Sequence, residues 1–244
     1  MAYYFVSDVH AGLLLNGKPT DSEARFLAWL DRVGPDAEAI FLVGDIFDFW
    51  YETPRKVPTG YDRLLDAFSA LTARGIALHF FPGNHDMWTG NHLASSGLII
   101  HNQGLYTTLC GRRVYIEHGD QQSIRSGGER FIQSIFRSPI ARRLAQLFVP
   151  HRAMMRFGNS WSRANRAKFR EQFPFGNEEE GLVRFAREYM HEHPVDLFVF
   201  GHLHNPTIYP LSATTTLYVL SDWITDPHPA YGRLDEHGFS LERY

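Results

Sequence analysis

The chain has 244 residues, 44% hydrophobic and 21% charged, the proportions of a globular protein with enough apolar material for a sizeable core. Its single cysteine, Cys110, excludes an intrachain disulfide framework, and no apolar run approaches the ~20 residues of a bilayer-spanning helix. A formal net charge of −3 argues against a dedicated nucleic-acid binder, and the N-terminus, MAYYFVSDVH, lacks the basic flank and long apolar stretch of a secretory signal, which points to a soluble cytoplasmic protein.

An apolar run from Tyr3 to Val6 predicts a buried strand and leads into Asp8-Val9-His10. Helical spacing follows from Asp21 to Arg32, then a second strand run, Ala39 to Val43, which ends at Gly44-Asp45. Tyr61 to Arg74 repeats the helical pattern, and Ile76 to Phe81 ends at Pro82-Gly83-Asn84-His85-Asp86. Strand and helix in alternation predict an α/β fold with parallel pairing. Three short strand candidates, Leu98 to Ile100, Leu105 to Leu109 and Arg113 to Ile116, predict a meander whose last member ends at Glu117-His118-Gly119-Asp120.

A change of character comes next. Between Arg130 and Arg170 there are ten Lys and Arg and no acidic residue, which leaves fourteen basic against twenty-seven acidic residues elsewhere. Such asymmetry suggests a surface that meets something anionic. Phe131, Ile132, Ile135, Phe136, Ile140, Leu144, Leu147 and Phe148 recur at helical spacing, and a further helix is expected from His151 to Phe173. Residues 126–174 are therefore expected to form a helical cap, inserted between core segments 1–125 and 175–244. The amphipathic stretch Glu178 to Glu192 and the strand Leu197 to Phe200, ending at Gly201-His202-Leu203-His204, return to the core pattern before the closing short strands.

Five apolar runs thus end in a turn that carries candidate ligands. In open α/β sheets, sites form where the carboxyl ends of strands come together, so turns spread over the whole chain can converge. Carboxylate, imidazole and amide oxygens suit borderline divalent first-row ions. One ion could be held by Asp8, His10 and His204, the other by Asn84, His118 and His202, with the Asp45 carboxylate as bridge. Two ions about 3.5–4 Å apart can activate a hydroxide and clamp the oxygens of an in-line displacement at phosphorus. His85, next to a ligand, would face substrate and could help the leaving oxygen. By contrast His191-x-His193, with the spacing of His202-x-His204, sits in a polar helix end without a glycine turn and reads as structural.

These five motifs resemble the calcineurin-like metallophosphoesterase family over almost the whole chain. The resemblance implies a four-layer α/β/β/α sandwich with a dinuclear centre on the seven positions Asp8, His10, Asp45, Asn84, His118, His202 and His204. Within it, Gly44-Asp45-Ile46-Phe47-Asp48-Phe49-Trp50, Gly83-Asn84-His85-Asp86-Met87-Trp88 and Asn159-Ser160-Trp161-Ser162-Arg163 are similar to the UDP-2,3-diacylglucosamine hydrolase family, in particular its Bacteroidota-like forms. This narrower likeness implies two manganese ions. It also implies cleavage of the substrate pyrophosphate to UMP and a diacylated sugar phosphate in lipid A synthesis. Implied catalytic residues are His85 and Asp45, and substrate contacts are Asn84, His85, Ser160, Arg163, Asn165, Arg166, Lys168 and His202. Many hydrolases of this type carry arginine where this chain has His85.

A lipid diphosphate needs cations and an apolar channel, and the cap offers both: Arg137, Arg142, Arg143, Arg152, Arg156, Arg163 and Arg166 alternate with Ile, Leu, Met and Phe. Such a cap could cover the metal site and lie against an anionic membrane surface, making the protein cytoplasmic but peripheral to the inner membrane. The plainer reading is a solvated basic helix pair. A nucleic-acid surface built on Phe157, Trp161 and Phe169 is disfavoured by the net charge. Other functions weighed are a phosphoesterase for soluble nucleotides or phosphoproteins, a non-catalytic scaffold and a repair-type nuclease. No heptads or long apolar stripe fix an oligomeric state.

Overall fold

The computed structural model describes residues 1–15, 17–124, 127–169 and 175–244, all but 129 and 163–169 with their side chains. Strand β1 (Ala2–Val6) is followed by a small hairpin, β2 (Leu14–Leu15) and β3 (Lys18–Pro19), then by helix α1 (Ser22–Val33) and β4 (Ala37–Val43). Helix α2 (Asp62–Ala73), β5 (Ala77–Phe81), the short α3 (Asn91–Ser95) and β6 (Leu98–Ile100) complete the first half. A hairpin of β7 (Leu105–Leu109) and β8 (Arg112–Ile116) precedes four helices, α4 (Gly127–Arg137), α5 (Pro139–Phe148), α6 (His151–Phe169) and α7 (Gly181–Met190). The chain then forms β9 (Leu197–Phe200), β10 (Thr207–Pro210), β11 (Thr216–Val219), β12 (Ala230–Asp235) and β13 (Gly238–Arg243).

Two sheets form the centre. The six-stranded sheet has the order β13-β12-β1-β4-β5-β6, with β1, β4, β5 and β6 parallel, and the five-stranded sheet the order β10-β11-β9-β8-β7. Strand β4 shows why the sheets stack. Its run Ala-Ile-Phe-Leu-Val alternates between two dry faces, as strands of a covered parallel sheet do. Ile40 and Leu42 pack with Trp29, Leu30, Leu64 and Phe68 of α1 and α2. Phe41 and Val43 face the other way and, with Phe5 and Phe81, meet Val114, Ile116, Leu197 and Val199 of the second sheet. On the far side of that sheet Phe198, Phe200 and Tyr115 are covered by Leu182, Val183 and Ala186 of α7. The layers are helix, sheet, sheet, helix, as the family resemblance implies.

The expected meander does not form. Strand β6 pairs in parallel with β5 at the edge of the first sheet, whereas β7 and β8 pair antiparallel in the second. Three short runs in sequence carry no signal of sheet membership, which is set by their distant partners.

Helices α4, α5 and α6 lie consecutively between β8 and α7. Ser138 caps α5, its hydroxyl accepting a hydrogen bond from Ala141 N at 3.3 Å, and Pro139 occupies the first turn. Their inner face, including Phe136 and Met154, packs on Phe49, Tyr51 and Trp88. Their outer face leaves Phe131 66%, Ile140 73%, Leu147 67% and Phe148 77% exposed. The boundaries expected for this insertion, at 126 and 174, fall outside the described residues. No described helix is long and apolar enough to cross a membrane.

Gly158 lets α6 approach the core, because a Cβ there would overlap the buried Phe49 ring. Alanine inside a helix ordinarily gains about 1 kcal/mol over glycine. Overpacking against a buried ring costs about 1–3 kcal/mol and opposes that gain. Gly158→Ala is therefore expected to lift α6, read as faster limited proteolysis of the helical insertion. A variant whose insertion resists protease as well as the parent would mean that Phe49 gives way instead.

Candidate metal centre

The five expected turns follow β1, β4, β5, β8 and β9, and all lie at the carboxyl ends of these strands. Their backbone is unusual. Asp8, His10, Asp45, His202 and His204 have φ values of 55°, 48°, 53°, 68° and 55°, in the left-handed region that non-glycine residues seldom enter. Each costs of order 1 kcal/mol or more and persists only where the surroundings over-determine it. Those surroundings are explicit. Asp8 N donates to Gly44 O at 3.0 Å, His10 N to Asp45 O at 2.9 Å, and Trp223 N to Asp8 O at 3.0 Å. Gly44 has φ +83°, and any side chain there would run into the His118 ring.

Asp86 fastens two of these turns together. Its carboxylate accepts hydrogen bonds from Gly83 N at 2.7 Å, Ile46 N at 2.8 Å, Phe47 N at 3.2 Å and Asp45 N at 3.3 Å. The turn bearing Asp45 and the turn bearing Asn84 are thus bound to one buried group.

On this frame the candidate ligands converge in two groups. Asp8, His10 and His204 bring one donor atom each within 4.8 Å of one another, and so do Asp45, His118 and His202. His204 Nε2 lies 3.2 Å from Asp8 Oδ1, and His118 Nε2 lies 3.4 Å from Asp45 Oδ2. His10 Nε2 is 3.9 Å from both Asp8 Oδ1 and Asp45 Oδ2, so the two groups adjoin through Asp45. Asn84 Oδ1 is buried with no hydrogen-bond partner among the described residues, a costly arrangement that a cation would relieve. Oxygen and nitrogen donors without thiolate, together with that amide oxygen, fit divalent metal ions.

Imidazole orientation supports the fit. His118 Nδ1 donates to Val43 O at 2.9 Å, which leaves Nε2 as the ligand atom. His204 turns Nδ1 toward Asp222 Oδ2 at 3.8 Å. Asp222 is itself held by Ile224 N at 2.8 Å and by Thr225 N and Oγ1 at 2.6 Å each. His85 donates from Nδ1 to Asp48 O at 2.8 Å, and its Nε2 stands 4.0 Å from Asp45 Oδ2.

The structure brings Asp8, His10, Asp45, Asn84, His85, His118, His202 and His204 to one place. It does not bring Ser160. That residue is exposed, because two residues along a helix turn by about 200° and it is Ser162 that faces the core. The side chains of Arg163, Asn165, Arg166 and Lys168 lie outside the described residues. Arg137 and Arg142, expected to face an anion, are engaged by the core through the Asp120 carboxylate and the Thr89 carbonyl. His193 packs on Tyr189 and bonds its carbonyl, as a structural histidine does.

Asp48, Asp86 and Asp222 were not singled out from sequence. Asp48 and Asp86 stand in the motif turns and could have been suspected from their spacing to Asp45 and Asn84. Asp222 follows an ordinary short strand and carries no such signal.

Burial alone would push His118 down, yet the Asp45 and Asp8 carboxylates outweigh it and raise this imidazole to about 10. His204, half-buried, is raised to about 10 by Asp8 and Asp222 against the cost of desolvation. His202 moves the other way, to about 4, through burial and the charge of His118. Below about pH 10 His118 and His204 therefore hold protons that a metal must displace, so metal affinity rises with pH. Metal uptake near neutral pH is expected to release protons, measured by calorimetry in two buffers of different ionisation heat. A binding heat independent of the buffer would contradict protonated imidazoles in the metal-free site.

The family model of the calcineurin-like phosphoesterases matches residues 1–206. A UDP-2,3-diacylglucosamine hydrolase of Porphyromonas gingivalis is 33% identical over 236 residues, covering 91% of this chain and 90% of that one. A second, from Stenotrophomonas maltophilia, is 29% identical over 256 residues, with coverage of 99% and 98%. Among solved structures, a dimetal phosphatase from Danio rerio superposes with a TM-score of 0.51 at 13% identity, covering 100% of this chain and 95% of that one, a likeness of fold. Strand-end turns that gather carboxylates, imidazoles and an amide at one place, and a match running through all five of them, make this chain a hydrolase belonging to the calcineurin-like phosphoesterase family.

Proposed function

We propose that the protein hydrolyses the pyrophosphate bond of UDP-2,3-diacylglucosamine, releasing UMP and 2,3-diacylglucosamine 1-phosphate in lipid A synthesis. The observation that carries this reading is the pair of donor groups meeting at Asp45, in a chain similar along nearly its full length to relatives of that name. Asp8, His10 and His204 would hold one divalent ion and Asn84, His118 and His202 the other, with Asp45 shared and manganese the metal that the resemblance favours. Such a pair supplies a water ionised near neutral pH and positive charge for the oxygens of an in-line displacement.

The chain's own residues do the rest. His85, tied at Nδ1 to the Asp48 carbonyl, turns Nε2 toward the cluster. There it can stabilise charge on the phosphoryl oxygens or give a proton to the leaving oxygen. Trp161 of α6 covers it, with ring centroids 5.0 Å apart, and shields the reacting group from bulk water.

The insertion, expected to span 126–174, fits a lipid substrate. Phe131, Ile140, Leu144, Leu147 and Phe148 are exposed on α4 and α5, and Arg143 of α5 and Arg152 of α6 are exposed as well. A soluble nucleotide gives no reason for such a face. It suits acyl chains and the anionic cytoplasmic surface of the inner membrane, to which the protein would bind peripherally.

Purified protein supplied with Mn2+ and UDP-2,3-diacylglucosamine is expected to release UMP, and a chelator to stop it. Turnover of a small phosphodiester with no UMP from the lipid would reject the substrate while leaving the metal chemistry. Asp45→Ala, which removes the shared ligand, is expected to abolish hydrolysis. His85→Ala should lower kcat by about a hundredfold or more with bound metal retained. Loss of metal from the His85 variant would make that residue a ligand instead.

A further inference from the structure

Helices α4 to α6 touch the core on the loops that carry the candidate ligands. Arg137 Nη2 donates to both carboxylate oxygens of Asp120, at 2.6 and 2.8 Å, two residues beyond His118. Trp88 Nε1 donates to the Phe136 carbonyl at 2.8 Å, and Gln146 Nε2 to the Glu52 carbonyl at 2.8 Å. A further contact belongs to Ser162, whose side chain is fully buried and whose Oγ donates to Asp48 Oδ1 at 2.7 Å.

Asp48 stands at a junction. Its carboxylate receives Ser162, its Oδ1 faces His10 Nδ1 at 3.9 Å, and its carbonyl accepts the Nδ1–H of His85 at 2.8 Å. The residue before Ser162 completes the arrangement, since the Trp161 ring lies over His85 with the planes 41° apart. Two successive residues of α6 therefore bear on His85, one by ring contact and one through Asp48. A hydroxyl buried on a carboxylate is a strong, directional contact, and it forms only with α6 on the core.

We propose that Ser162 is a positioning residue for the hydrolysis. Its hydroxyl fixes Asp48, Asp48 fixes the Nδ1 side of His85, and His85 presents Nε2 to the reacting phosphoryl group only while α6 is seated. The helical insertion is then part of the mounting of the acid, in addition to any role as a lipid surface. This assignment rests on the reading that His85 acts on the substrate.

The test uses the whole chain loaded with Mn2+ and a small chromogenic diester, bis(p-nitrophenyl) phosphate, which has no acyl chains to engage the insertion. Ser162→Ala is expected to lower kcat about tenfold, with KM and bound metal within about twofold, and Ser162→Thr to restore most of the rate. The metal-free protein gives a second readout by NMR with 15N-labelled histidine. The His85 Nδ1–H signal, protected in the parent, should exchange faster in Ser162→Ala. Should that variant not fold, Ser162→Cys, of similar shape and a weaker donor, should show both effects in smaller measure. An unaltered kcat with an unaltered His85 signal overturns the proposal, and so does a rate loss explained by lost metal. If the parent turns over no diester, the rate is read on UDP-2,3-diacylglucosamine instead; if it turns over neither, the functional reading fails and the His85 signal alone decides the positioning.

Discussion

The left-handed turns at the strand ends are the constraint on which this molecule depends. Asp8, His10, Asp45, His202 and His204 can point into one volume only because their backbones leave the strands at positive φ. Nothing in those residues favours that conformation enough to hold it alone. The two stacked sheets do the holding, with β1 and β4 neighbours in one and β9 in the other, and main-chain bonds between neighbouring turns carry the strain across. Asp86 is the clearest case: one carboxylate, four main-chain donors, and two ligand turns that cannot drift apart.

A second consequence of that frame is how the imidazoles are aimed. His118, His204 and His85 each commit Nδ1 to a carbonyl or a carboxylate behind them, so Nε2 is left for the cluster. The partners come from β4, from the loop after β11 and from the loop after β4, which are rigid or tied down. Charge and geometry then cooperate. Carboxylates that would repel one another in a buried site are balanced by imidazolium, and a cation bound there would take over that balancing charge from the protons.

Much of this was legible in the sequence, for a physical reason. A strand buried on both faces leaves an unbroken apolar run, as in Ala39 to Val43, and a ligand turn after it must combine glycine with Asp, Asn or His. Both signals are local. The sheet membership of β6 was not, because parallel pairing with β5 is decided by chain packing rather than by the three residues involved. Ser160 and Ser162 show a finer limit: composition flagged the segment, but only the helical phase, fixed by Gly158 against Phe49, says which serine turns inward. Asp222 shows the limit of motif spacing, since its contact with His204 is made across a loop. Arg137 and Arg142 read as substrate cations from their charge, yet an arginine beside a buried carboxylate or a free carbonyl is claimed by it first.

The separation of the ligands along the chain has a biosynthetic meaning. His202 N bonds to Asp8 Oδ2 across 194 residues, so the first ligand turn is complete only when the last one has been made. At roughly 5–20 residues per second, a ribosome needs about ten to forty seconds to go from one to the other. Through that interval the nascent chain carries carboxylates and imidazoles without the frame that aims them. Metal selection is therefore an event of the finished chain, made against whatever ions the cell then offers.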